Sequence, residues 1–92
     1  PERAHGLEVF LRSGCLACHS IRGTEASGLL GPDLTHVGAR RTIAAGTLPN
    51  TRGDLQGWIA DPQGIKPGAL MPRLELTARD LNAVSEYLAG LK

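Results

Sequence analysis

Aromatic residues are scarce in this chain, with one Phe, one Trp and one Tyr among 92 residues, of which 41% are hydrophobic. Phe10, Trp58 and Tyr87 give the polypeptide material for only a thin core. Small domains of this kind lean on a staple, a metal or another prosthetic group. Charge of one sign is also lacking. Ten Lys plus Arg face nine Asp plus Glu, and no run of like charge is longer than Arg40-Arg41, which excludes a nucleic-acid or polybasic membrane surface. No stretch approaches the roughly 18 apolar residues that cross a bilayer. Neither a signal peptide nor an initiator Met opens the chain. Its start at Pro1 is expected of a processed mature protein or of a domain cut from a longer one. The length allows one domain, residues 1–92.

Glycine and proline are plentiful, and most of them fall between residues 23 and 72. Loops and short helices are therefore expected in the middle, with a longer helix at each end. Leu7, Phe10 and Leu11 recur at helical spacing within Glu2 to Arg12, and Gly6 inside that stretch suggests a close packing contact. Thr77 followed by Asp80 forms a capping signal, after which Leu81, Val84, Leu88 and Leu91 line one face. A third helix is expected over residues 51–60, where Leu55, Trp58 and Ile59 share a face before Pro62 stops it. Residues 35–45 suggest a fourth, weaker helix. No strand alternation persists.

Chemistry enters at Cys15-Leu16-Ala17-Cys18-His19. This C-x-x-C-H pattern is the attachment signature of c-type haem. Two thiols at this spacing reach two vinyl groups, and the adjacent His19 reaches the iron. A zinc site would need about four protein ligands, and the chain has one Cys pair and three His. A dithiol redox motif would need a βαβ setting that is missing. One haem c is therefore expected, and such motifs are loaded outside the bacterial cytoplasmic membrane. Met71, the only methionine, lies in the Pro-bracketed run Lys66 to Pro72 and is the leading candidate for the second axial ligand. Core filling by Met71 and ligation by His36 or His5 are the alternatives, the two histidines reading as surface groups. His/Met ligation raises the potential of the iron and leaves no open position, so outer-sphere electron transfer is expected and catalysis within the domain is not.

Cys15 to His19, Gly31-Pro32-Asp33-Leu34 and Met71-Pro72 together resemble the all-α class I cytochrome c fold across the whole chain. The resemblance implies crossed terminal helices, with Gly6 and Phe10 meeting Val84 and Tyr87, and short helices and loops around one haem. The segments 31–38, 43–50 and 58–63, with Lys66-Pro67-Gly68, are similar to the cytochrome c domain at the C-terminus of subunit II of caa-type haem-copper oxidases. That likeness implies a respiratory electron donor (a small cytochrome, an iron-sulfur protein or a quinol-oxidising complex). It implies as acceptor the dinuclear copper centre of the same subunit, on the outer, periplasmic face of the membrane. By matching position, the Pro32 carbonyl would take a hydrogen bond from His19, Leu34 would pack on the haem, and Trp58, Arg40 and Asn50 would reach its propionates. A free, diffusible periplasmic cytochrome c is the rival reading. A peroxidase with an open haem is a third, and it would need Met71 off the iron.

Overall fold

The computed structural model describes residues 2–92, so Pro1 lies outside it. Helices carry the fold: α1 (Glu2–Arg12), α2 (Arg52–Ala60), α3 (Pro62–Ile65) and α4 (Ala78–Ala89). Two-residue strands β1 (Thr42–Ile43) and β2 (Leu48–Pro49) pair antiparallel, with Thr42 opposite Pro49 and Ile43 opposite Leu48.

Each longer internal helix begins on a side chain that accepts an otherwise unpaired backbone N–H. Thr51 Oγ1 accepts from Asp54 N at 3.0 Å and Thr77 Oγ1 from Asp80 N at 3.1 Å. Pro62 does more than end α2. It is the first residue of α3, where its missing N–H costs nothing, and Asp61 caps that helix by accepting from Gly64 N at 3.1 Å.

α1 and α4 pack directly against each other. Gly6 is buried, and a Cβ placed there would stand 2.1 Å from the Ala83 carbonyl oxygen and 2.6 Å from Tyr87 Cβ. Only a glycine lets the two backbones approach this closely. Phe10 and Val84, each 1% exposed, fill the adjoining core with Val9 and Leu88. At the edge of this crossing His5 Nε2 lies 2.8 Å from Asp80 Oδ1, and Arg12 Nη2 donates to Asp80 Oδ2 at 2.9 Å. His5 is thus half-buried and paired with Asp80, and is not the surface group the sequence suggested.

The helix expected over residues 35–45 does not form. A three-residue 3-10 turn at Val37–Ala39 is followed by β1, and Ala44 and Ala45 then take φ of 54° and 55°. Two consecutive left-handed residues cannot continue a right-handed helix. Burial of Val37 and Ile43 fixes this stretch through tertiary contact. Leu91 likewise lies beyond the end of α4, although it still packs against the core.

Candidate functional site

α1 ends at Arg12, and Gly14 reverses the chain with φ of 87° into a 3-10 turn over Cys15–Ala17. Cys18 N donates to Cys15 O at 3.1 Å and His19 N to the same oxygen at 2.9 Å. One helical turn therefore sets Cys15, Cys18 and His19 at i, i+3 and i+4, on one face. Both cysteines are free and half-buried. Burial, with a smaller contribution from Cys18, pushes the Cys15 thiol above its ordinary range. Among the described residues no group of three or more His, Cys, Asp or Glu side chains converges as a zinc site would need.

The chain returns alongside this turn. Gly28 N donates to His19 O (3.1 Å), Gly31 N to Cys18 O (2.7 Å) and Leu34 N to Ser20 O (2.8 Å). These backbone bonds carry the Pro32 carbonyl to His19, where Nδ1 donates to it at 2.8 Å. The bond assigns the proton to Nδ1 and leaves the Nε2 lone pair available for a metal. Gly31 makes room for the ring, since a Cβ at that position would lie 2.4 Å from His19 Cε1. Asp33 stiffens the same loop by accepting from Thr35 N (2.8 Å) and Thr35 Oγ1 (2.6 Å), and these bonds hold its carboxyl below the usual carboxylate range.

Met71 lies half-buried against the core, as does Trp58, while Leu34 belongs to the core itself. Trp58 makes no side-chain hydrogen bond among the described residues, so its indole N–H is available to a ligand. Arg40 is exposed and donates through Nη2 to the Asp33 carbonyl. Asn50 Nδ2 donates to Val37 O and to Arg40 O, both at 2.8 Å. Its two N–H groups are thereby spent on bracing the loop that carries Arg40. The other histidine, His36, is exposed and bonds through Nδ1 to the Lys92 carbonyl at 2.8 Å.

Among the described residues, three large apolar side chains remain uncovered by protein: Leu29 (90% exposed), Leu30 (82%) and Leu70 (94%). Leu29 and Leu30 precede Pro32 closely and Leu70 adjoins Met71. Apolar groups left in water beside the candidate ligand loops, a free imidazole nitrogen and two free thiols on one face form a donor set that fits a covalently bound haem.

The residues from 4 to 92 match the cytochrome c family model, and the chain belongs to that family. It is a cytochrome c domain, a carrier of electrons, and the family implies covalent haem c. The chain is 39% identical to "Cytochrome c oxidase subunit 2" of Alkalihalophilus pseudofirmus, over 95% of this chain and 25% of that protein. A nitric oxide reductase subunit of Paracoccus denitrificans is 30% identical over 96% of this chain and 57% of that one. Among solved structures, the c-type cytochrome SorU from Sinorhizobium meliloti superposes with a TM-score of 0.68 at 26% identity, covering 98% of this chain and 90% of the other. The chain thus spans about a quarter of the length of the oxidase subunits it matches. No helix among the described residues is long and apolar enough to cross a membrane.

Proposed function

We propose that residues 1–92 form the electron-entry domain of a caa-type terminal oxidase. In this reading the domain accepts single electrons from a respiratory donor and hands them to the dinuclear copper centre of the same subunit, on the outer face of the cytoplasmic membrane. The observation that carries the proposal is the similarity, over nearly the whole of this chain, to cytochrome c oxidase subunit 2 of Alkalihalophilus pseudofirmus.

One haem would be held through Cys15 and Cys18, with His19 Nε2 and Met71 Sδ offered to its iron. When bound, it supplies reversible one-electron exchange between ferric and ferrous iron. The chain's own residues fix how that happens. The Pro32 carbonyl holds the proton on His19 Nδ1, which orients the ring and makes Nε2 a stronger donor. Leu34 would cover the haem with apolar surface, and Trp58 and Arg40 would offer N–H groups to the propionates. With His19 and Met71 both on the iron, no position would be left there for a substrate.

The second reading is a diffusible periplasmic cytochrome. It draws support from the likeness to the Sinorhizobium cytochrome, of which this chain covers 90%. The coding sequence upstream of Pro1 separates the two. The oxidase reading expects a copper-binding cupredoxin segment preceded by membrane spans, and a start codon directly upstream, or one followed only by a secretion signal, would overturn it.

A further inference from the structure

From the hydrogen bonds around residues 66–71 we infer that Gln63 is a positioning residue for the axial sulfur, a side-chain clasp that holds the Met71 loop in ligand-presenting shape. The inference rests on the reading of Met71 as the iron ligand and adds what keeps it there.

The loop has little of its own to hold it. Lys66, Pro67, Gly68 and Leu70 are exposed, and Gly68 takes φ of 87°. Within the loop, a backbone bond from Ala69 N to Lys66 O at 3.1 Å closes a turn. Met71 itself belongs to no helix or strand. The amide of Gln63 supplies what the backbone does not. Its Nε2 donates to Ala69 O at 2.5 Å and to Met71 O at 3.1 Å, and its Oε1 accepts from Gly68 N at 3.2 Å. One planar group thus grips the loop on both sides of Leu70, including the ligand residue's own carbonyl.

Gln63 can do this because α3 is short and firmly placed. Asp61 caps it, Pro62 is buried, and Lys66 N closes it on Pro62 O at 2.9 Å. Among the described residues nothing else calls for an amide at position 63. The side chain is exposed, hydrogen-bonds to none of the other candidate haem residues, and uses both donors and its acceptor on this one loop. A carboxylate could accept from Gly68 N but would repel the two carbonyl oxygens. An aliphatic side chain would make none of the three bonds.

The clasp acts on an equilibrium between Met71 on and off the iron. An external ligand such as imidazole binds ferric iron only in the fraction of molecules where Met71 is off, so its apparent affinity reports that fraction directly. Three hydrogen bonds at an exposed site, each of modest net worth, would together change the fraction by about tenfold.

The test is an imidazole titration of the ferric holoprotein, followed by loss of the iron-to-sulfur absorption band, for the wild type, Gln63→Leu, Gln63→Glu and Met71→Ala. Both Gln63 variants should bind imidazole about tenfold more tightly than wild type while retaining the band in the absence of imidazole. Residue 63 is exposed, so neither change empties a core site, and agreement between a neutral and a charged replacement guards against a fault particular to one of them. A shift of less than about threefold in both variants, with the band abolished in Met71→Ala, overturns the clasp and leaves the ligand reading standing. A band that survives in Met71→Ala overturns the ligand reading and the clasp with it.

Discussion

His19 and Met71, the proposed iron ligands, are each held by a different device at the scale of single residues. Pro32 fixes the first through a 2.8 Å bond from Nδ1, and the Gln63 amide grips the second by its main chain. A thioether favours ferrous iron relative to an imidazole. Met71→His should therefore keep the haem attached through Cys15 and Cys18 while lowering the reduction potential. Redox titration of the two proteins decides this, and equal potentials would remove Met71 from the iron. The sequence made the covalent part of this site legible because its chemistry needs residues adjacent in the chain, as in Cys15 to His19. Gln63 was not legible in this sense. Its partners are backbone groups, which leave no trace in residue identities. The family resemblance put Asn50 at the haem propionates, and only the fold reveals that its N–H groups go to Val37 and Arg40.

The elements that matter most to stability are the two that cross. Gly6→Leu would drive a side chain into the Ala83 carbonyl, whereas Ala4 is exposed on the same helix. The Gly6 variant should be less stable than Ala4→Leu by about 1 to 3 kcal/mol. Denaturant melts measure this, and coincident midpoints would contradict the packing at the crossing. The polar side of the same crossing makes stability depend on pH. The hydrogen bond with His5, and then the Arg12 guanidinium, hold the Asp80 carboxyl below the usual carboxylate range. A carboxyl with a lowered folded-state pKa stabilises fully above its unfolded value, near about 4, and that contribution fades as pH falls through the lowered one. Asp80→Asn should consequently be less stable than wild type at about pH 7, by a margin that narrows towards about pH 3. Urea midpoints at both values check it, and a margin independent of pH would refute it. Helices α1 and α4 could be read from the sequence because their apolar spacing and the Thr77 cap are local. Residues 35–45 misled because Val37 and Ile43 are held by distant core partners, which overrule weak helical periodicity.

Across the whole molecule the charges nearly balance, with a formal net charge of +1 for the polypeptide. Ferric haem with two ionised propionates would bring the loaded protein close to neutral, so long-range steering should be weak. Ala17 is exposed, Leu16 and Ala69 are half-buried, and Leu29, Leu30 and Leu70 add apolar surface near the ligand loops. Electron transfer from the natural donor should then change only a few-fold between about 20 and 200 mM salt. Stopped-flow rates over that range test the point, and a fall of more than about tenfold would assign docking to local charges such as Arg40 and Arg41.

The bond between His5 and Asp80 joins residues 75 positions apart. Most of the chain is therefore one closed loop, tied at the α1–α4 crossing, and polymer statistics govern what that loop tolerates. The entropy of closing a flexible loop grows only logarithmically with length, so each doubling costs about 0.6 kcal/mol. A few residues gained or lost in the exposed turns at 22–25 or 44–47 would hardly register in that closure. The crossing, in contrast, admits no added atom at Gly6. The fold can thus be recut in its middle while its knot of helices stays fixed, and the surface presented to a new redox partner can change without reopening the question of whether the chain folds.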